Sequence, residues 1–320
     1  MTGAAGFIGS HLVEHLLDRG TRVVGIDDFD AYYPAAMKRS NLERVRNHRS
    51  FTLLRRDLLH VDLRPLVRPG TTIFHLAGQP GVRPSWGRPF DRYVRNNIRV
   101  TQHLLEMARR VRPARFVYAS SSSVYGAQPE RPLPETTLPR PISPYGVTKL
   151  AAEHLVRVYR AAYGLPAVSL RFFTVFGSRQ RPDMAFHRFF EAALRRRPIV
   201  VFGDGSQKRD FTHVSDIVRG LAAAADPAAP GEVYNLGGGS PATLSESLRR
   251  IREVSGIELN LGRKPLPVGD PPSTWADTRR AAMDLGFRPQ VSLREGLEDQ
   301  WRWHSDRARS GEERKRSVTS

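Results

Sequence analysis

The chain of 320 residues has no cysteine, which excludes disulfides, thiolate metal sites and cysteine nucleophiles. Its ten histidines show no HExxH or other paired-ligand spacing, so no metal is expected. No run approaches the roughly 18 apolar residues of a membrane span. The N-terminus enters a glycine motif without a basic and apolar leader, and a cytoplasmic protein without a membrane partner is expected. Lysine is scarce, at five of the 50 basic residues, and arginine is spread over every segment. The net charge of +18 therefore reads as an arginine-biased composition rather than a nucleic-acid footprint, and no nucleic-acid partner is expected. From Arg307 to Ser320 the chain is polar, charged and nearly free of apolar residues, which predicts a disordered basic tail.

What is present is a 40% hydrophobic chain, enough for a large core shared by two joined lobes. MTGAAGFIG places Gly3, Gly6 and Gly9 at GxxGxxG spacing before an amphipathic helix through Leu12, Val13, Leu16 and Leu17. Such glycines let backbone approach a pyrophosphate, and the helix N-terminus offers free N–H groups. The strand TRVVGIDDFD then brings Asp27, 18 residues after Gly9, where a carboxylate accepts from ribose hydroxyls and repels a 2′-phosphate. The order points to NAD rather than NADP. An apolar strand normally precedes the glycine turn at the centre of such a sheet. Met1 stands where that strand would end, so either the true start lies upstream or the central strand is truncated.

Further strands are expected at 51–57, 72–76, 115–120 and 167–173, with helices at 90–111 and 145–163. This alternation predicts a doubly wound parallel sheet of Rossmann type, an α/β fold, over residues 1–170. Asp57 either reaches the adenine amino group or is a simple turn residue. The proline-rich stretch 128–143 is expected to be a loop. Residues 171–306 are expected to form mainly a smaller α/β substrate-binding lobe, with some chain crossing back. It holds helices at 184–195, 214–225, 243–255, 278–285 and 293–304, strands at 199–202 and 232–236, and a loop at 203–214.

SPYGVTK, residues 143–149, sets Tyr145 and Lys149 one helical turn apart on one face. A tyrosine and a lysine at this spacing are also ordinary amphipathic-helix residues. With a cation beside it, the phenol becomes more acidic than its ordinary value near ~10, which makes Tyr145 the candidate general base. YASSSSVYG delivers four serines at a strand's carboxyl end, where open α/β sheets bind ligands.

TGAAGFIG, Asp27, HLAGQ, SSSSVYG, SPYGVTK and RDFTHV, in this order, resemble the extended short-chain dehydrogenase/reductase family, specifically its nucleotide-sugar epimerases and dehydratases. The resemblance spans about residues 1 to 300. It implies Ser121, Tyr145 and Lys149 as catalytic residues. It implies a tightly bound NAD contacted by Gly3, Gly6, Phe7, Ile8, Gly9, Asp27, Asp57, Leu58, Leu76, Ala77, Gly78, Gln79, Tyr145, Lys149 and Phe172. On the substrate side it implies Arg83, Ser121, Ser122, Tyr145, Thr174, Arg181, Val201, Phe202, Arg209 and Asp270. A cofactor-sensing regulator on the same fold would keep the glycines but usually lose the Tyr or the Lys.

Departures from subfamily patterns narrow the expectation. The family's dehydratases carry Asp and Glu after the catalytic hydroxyl residue, and its decarboxylases a Glu in the second position. Here Ser122 and Ser123 stand there, which leaves epimerisation. RFFTVFG has Thr174 where hexose 4-epimerases have Asn, SRQRPDMA resembles the glucuronate 4-epimerase signature, and Pro267 replaces a diphosphate-binding Arg. The expected reaction is NAD-dependent 4-epimerisation of UDP-glucuronate to UDP-galacturonate through a 4-keto sugar, with UDP-glucose 4-epimerisation or dual specificity as the alternative. A homodimer through the helices at 90–111 and 145–163 is expected partly from the resemblance, and partly because Leu150, Leu155, Val156 and Val158 exceed one apolar face.

Overall fold

The structure, a computed structural model, describes residues 1–320 except 63, 231, 239, 240, 266–268, 319 and 320, and for 311–318 the backbone alone. In chain order the first half runs α1 Phe7–Leu17, β1 Val23–Ile26, α2 Ala35–Asn41, β2 Phe51–Leu54, β3 Thr72–His75, α3 Phe90–Tyr93, a π turn Val94–Arg99, α4 Val100–Val111, β4 Arg115–Ser121 and α5 Pro144–Tyr163. The second half runs β5 Ala167–Phe172, β6 Thr174–Phe176, α6 Ala185–Leu194, β7 Ile199–Phe202, β8 Lys208–His213, α7 Val214–Ala224, β9 Val233–Leu236, β10 Pro241–Thr243, α8 Leu244–Ser255, β11 Leu261–Lys264, α9 Arg279–Leu285 and α10 Leu293–Val318.

The large sheet is parallel throughout: β1 pairs with β2, and β3, β4, β5 and β9 follow side by side. Thr2 joins the two parts, bridging Ile26 on one side and His75 on the other. Thr2 N donates to Phe74 O at 2.9 Å, and Ile26 N to Met1 O at 2.8 Å. Two residues thus hold the central place that the sequence reading left without a strand.

Because side chains alternate along a strand, β4 serves two layers at once. Phe116 and Tyr118 pack with Leu104, Leu105, Val156 and Tyr159 of α4 and α5, while Val117 and Ala119 pack with Leu12, Ile217 and Leu221 of α1 and α7. Every β4 residue from Arg115 to Ser120 is buried, as a strand covered on both faces must be. The smaller lobe packs α6, α8 and α10 over β7 and β8 around Phe186, Phe190, Ile199, Phe211, Ile251 and Leu297.

The structure departs from the sequence reading in several places, among them the short strands β6, β10 and β11, which that reading lacked, and the π turn inside the helix expected at 90–111. β8 forms within the stretch 203–214 expected as a loop, because Lys208–His213 finds partners on both sides, β6 parallel and β10 antiparallel. The strand expected to end at Asp57 stops at Leu54, where pairing with β1 ends. α2 was not anticipated, having only seven residues and a proline cap. Finally, α10 continues to Val318, so residues 307–318, expected to be disordered, are helical; no proline interrupts them, and Arg309 pairs with Asp306 one turn back. Pro267 and part of the GGGS turn lie outside the described residues.

Helix α5 begins where the sequence gives it a cap. Ser143 Oγ accepts from Gly146 N at 3.1 Å, and Pro144, which has no N–H to satisfy, takes the first helical position. Ser143→Ala is expected to lower stability by about 1 kcal/mol, the usual worth of such a cap. Urea unfolding checks this, and an unchanged midpoint would show that the cap is replaced by solvent or a neighbour.

Candidate active site

One cleft runs along the carboxyl edge of the large sheet. Gly3 sits in it with φ +69°, and a Cβ there would lie 2.8 Å from Ala77 N; a Cβ on Gly9 would lie 2.0 Å from Gly3 O. These contacts keep the turn bare of side chains and leave the start of α1 facing the cleft, which suits a pyrophosphate. Asp27 is buried at the end of β1, its Oδ2 accepting from Ala5 N at 3.0 Å and its Oδ1 from Phe29 N at 2.8 Å and Lys38 Nζ at 3.1 Å. Every residue expected at the cofactor lines this cleft, as do Tyr32, Tyr33, Lys38, Arg95 and Arg181. Asp57 has a second occupation, since its Oδ1 accepts from Leu59 N at 3.0 Å and Arg95 donates to its Oδ2. Burial pushes that carboxyl up, but these hydrogen bonds and the Arg95 charge outweigh it and hold it below its usual value.

Tyr145 and Lys149 share the cleft wall, but not as the sequence reading supposed. Lys149 Nζ turns to Ala119 O at 2.5 Å and sits 4.6 Å from the Tyr118 ring centroid. Burial lowers its pKa to about 7, with Glu153 the opposing influence. The Tyr145 phenol is raised, not lowered: burial dominates, a hydrogen bond with Ser121 and the charge of Arg181 pull it down, and Asp183 pushes it up. Arg181 is thus the cation that favours the phenolate here, because the Lys149 ammonium is turned to a strand carbonyl. Arg181 is itself clamped by Asp183, Nε to Oδ1 at 3.0 Å and Nη2 to Oδ2 at 3.1 Å, and Tyr32 OH donates to Asp183 Oδ2 at 3.1 Å. Tyr32 follows β1 and Asp183 precedes α6, so this contact ties the two sides of the cleft together.

The substrate-side residues fall into three groups. Arg181 lines the cleft beside Tyr145. Ser121, Ser122 and Thr174 are half-buried at the ends of β4 and the start of β6, and Ser121 Oγ accepts from Ser123 N at 3.2 Å. Arg83, Phe202, Arg209 and Asp270 gather apart from them: Arg83 Nη2 donates to Asp270 Oδ2 at 2.7 Å, and its guanidinium lies 4.2 Å from the Phe202 ring centroid. Burial lowers the Arg209 pKa; Asp270 counters this, while the like charge of Arg83 adds to it. Arg83 holds Asp270, while Arg209 Nη1 donates to the backbone oxygens of Lys208 and Pro272, which leaves cationic capacity for a diphosphate. Val201, by contrast, is packed in the lobe core, so its side chain is not presented to a ligand.

Sequence reasoning missed Asn97. It stands in the π turn, fully enclosed, accepting from Gln79 N at 2.7 Å and donating to Gln79 O at 3.1 Å and Thr148 Oγ1 at 3.0 Å. It thereby pins the AGQPG turn to α5, and nothing in a helical pattern marks a π turn in advance. Lys38 and Asp183 were also missed; one lies on the unanticipated α2 and the other inside a motif noticed for its arginine. Away from the cleft, His187, Glu191 and His304 offer ligand atoms within 4.8 Å of one another. Glu191 already pairs with Arg195 at 2.8 Å and His304 at 3.3 Å, and His187 Nδ1 faces Gln180 O at 2.7 Å. The group is a polar clamp between α6 and α10.

Residues 1–237 match the family described as NAD dependent epimerase/dehydratase. The chain belongs to that family. Among its relatives, a Bacillus subtilis protein described as an uncharacterized UDP-glucose epimerase, YtcB, is 46% identical over 299 residues, covering 93% of this chain and 94% of its own. A UDP-glucuronate 4-epimerase of Thermodesulfobacterium geofontis is 34% identical over 310 residues, 96% of this chain and 95% of its own. The Bacillus cereus UDP-glucuronic acid 4-epimerase, solved with UDP-glucuronic acid and NAD, superposes with TM-score 0.91 at 43% identity, over 95% of this chain and 98% of that one.

Tyr145→Phe is expected to abolish turnover of a sugar nucleotide while NAD stays bound, since the glycine turn, Asp27 and Lys149 are untouched. Residual activity above about a tenth of wild type, a barrier change of only ~1.4 kcal/mol, would reject Tyr145 as the base.

Proposed function

We propose that the protein is an NAD-dependent 4-epimerase of UDP-hexuronates, interconverting UDP-glucuronate and UDP-galacturonate. The observation that carries this reading is that Arg181 lines the cleft with the Tyr145 phenol, while Ser121 stands by that phenol and Ser122 and Thr174 follow at the end of β4 and the start of β6. A carboxylate on the sugar needs hydrogen-bond donors and a balancing charge, and this wall has both. The neutral hydroxymethyl of a hexose needs neither.

NAD would be held by the glycine turn, Asp27 and Lys149, and would supply the hydride acceptor and donor for reversible oxidation of the sugar at C4. Tyr145 takes the proton of the 4-hydroxyl and gives it back, assisted by Ser121. Arg83 and Arg209 seat the diphosphate, leaving the sugar free to turn over in the cleft. Because a 4-keto uronic acid is a β-keto acid, Arg181 and the three hydroxyls also have to keep its carboxylate out of the alignment that releases CO₂. UDP-glucose is the second reading: MoeE5, solved once with UDP-glucuronic acid and once with UDP-glucose, resembles this chain at 42% and 43% identity.

A homodimer and a cytoplasmic location belong to the same proposal. Of the apolar residues on α5, Val156 packs into the chain's own core and Leu150 and Leu155 pack beside it, leaving Val147 (48% exposed), Val158 (56%) and Tyr163 (55%) turned outward. These support pairing through α5. Among the described residues no helix is long and apolar enough to cross a membrane.

Arg181→Ala is expected to slow both sugars, because the Tyr145 phenolate loses its cation, and to cost a UDP-hexuronate about 1.5–3 kcal/mol more in kcat/KM than UDP-glucose, the worth of a hydrogen bond to a charged group. Equal losses on both would confine Arg181 to Tyr145, the shared nucleotide or the fold. Light scattering at micromolar concentration should give twice the chain mass of 36.0 kDa; a monomer mass would remove the dimer.

A further inference from the structure

A row of polar side chains crosses the large sheet beneath α5. Ser120 of β4 is the register partner of Arg171 of β5, which in turn is the partner of Asn235 of β9. Onto this row descends Glu153, one turn beyond Lys149 and two beyond Tyr145 on the same helix face. Ser120 Oγ donates to Glu153 Oε2 at 2.6 Å, Arg171 Nε donates to Oε2 at 3.1 Å, and Arg171 Nη2 to Oε1 at 2.5 Å. Arg171 Nη1 also donates to Tyr125 OH at 2.8 Å, which donates to Asn235 Oδ1 at 2.7 Å. The Arg171 and Glu153 side chains are only 5% and 6% exposed. A buried ion pair of this kind is often no more stabilising than apolar residues of equal volume, so stability alone does not account for it.

Its place suggests what does. Three consecutive residues of β4 meet three residues spaced by four on α5: Ala119 O takes Lys149 Nζ, Ser120 takes Glu153, and Ser121 stands by Tyr145. Lys149 is otherwise faced by the Tyr118 ring of β4 and by His75 of β3, neither of which carries a negative charge, and shares the cleft lining with Tyr145. We propose that Glu153 is a positioning residue for the reaction: gripped by Ser120 and Arg171, its carboxylate fixes the end of β4 against α5 and keeps a negative charge one turn from Lys149. The inference rests on the epimerase reading for what Lys149 and Tyr145 do. Supporting it, Glu153 is the one influence that opposes the effect of burial on Lys149.

Glu153→Gln and Ser120→Ala separate the charge from the hydrogen bond. Turnover of UDP-glucuronate and of UDP-glucose is followed from pH 6 to 10, and NAD release from the loaded protein is followed over the same range by tryptophan fluorescence. In Glu153→Gln the alkaline limb of kcat, where Lys149 loses its proton, should move down by about half a pH unit or more. Its kcat should fall on the order of tenfold with KM within about twofold. NAD release should accelerate at a correspondingly lower pH. Ser120→Ala keeps the charge, so its kcat should fall about threefold or more while the limbs stay in place. A purely structural role would lower the melting temperature of both variants and leave kcat and both pH profiles unchanged, and that result would overturn the proposal. If Glu153→Gln does not fold, Ser120→Ala with wild-type kcat overturns it. A wild-type protein inactive on both sugars defeats the epimerase reading instead, and the pH dependence of NAD release then decides on Glu153 alone.

Discussion

A helix can present a reactive phenol only if something holds it in register with the strand that supplies the phenol's partners. Here that constraint is the packing of α5 on the end of β4, and much of the site depends on it. The strand brings Ala119, Ser120 and Ser121 to the cleft edge, and the helix answers with Lys149, Glu153 and Tyr145. Below this contact the sheet is apolar on both faces. At its carboxyl edge it admits a line of polar side chains, Ser120, Arg171 and Asn235, and each of those has a partner, as buried polar groups require.

The large sheet and its helices were legible in the sequence because their signals are local: glycine spacing, strand and helix alternation, and a Ser-Pro cap before Tyr145. The smaller lobe was less so. β8 is held by β6 and β10, partners remote in the chain, and its own residues, KRDFTH, carry two adjacent cations and no alternation that would announce a strand. At the site, the residues expected at the cofactor, with Tyr145, Lys149 and Arg181, came together in one cleft, whereas the electrostatics did not follow from spacing. One helical turn between Tyr145 and Lys149 says that both side chains share a face. It does not say that the ammonium finds a strand carbonyl, nor that the cation acting on the phenol is Arg181, far along the chain and already engaged with Asp183.

The formal charge of +18 gains a different meaning once the positions are known. Many arginines are spent in local pairs with acids three or four residues away, such as Arg109 with Glu106 and Arg250 with Glu246. Pairs of that kind on a surface contribute little to stability. The cations facing the cleft are fewer: Lys38 at Asp27, Arg95 at Asp57 and Arg181 at Asp183, with Arg83 at Asp270 beyond them, and also Lys149 and Arg56. The first four are partly neutralised by a carboxylate, so an anionic ligand can enter there by sharing paired charges, while Lys149 and Arg56 rest on the carbonyls of Ala119 and Arg55.

The π turn at Val94–Arg99 carries a consequence for how the chain tolerates changes in length. Its wider winding accommodates one residue more than an α-helix would over the same span, and that extra residue sets the angular position of Asn97. Losing a single residue between 94 and 99 would let the segment relax into regular α-helix, with the flanking turns nearly in phase but without the widened turn that sets where Asn97 points. Asn97 would then no longer meet Gln79 and Thr148 together, although α4 itself would remain intact. An apparently harmless deletion in a surface-spanning helix would in this way uncouple the turn under the cofactor cleft from the helix that bears Tyr145.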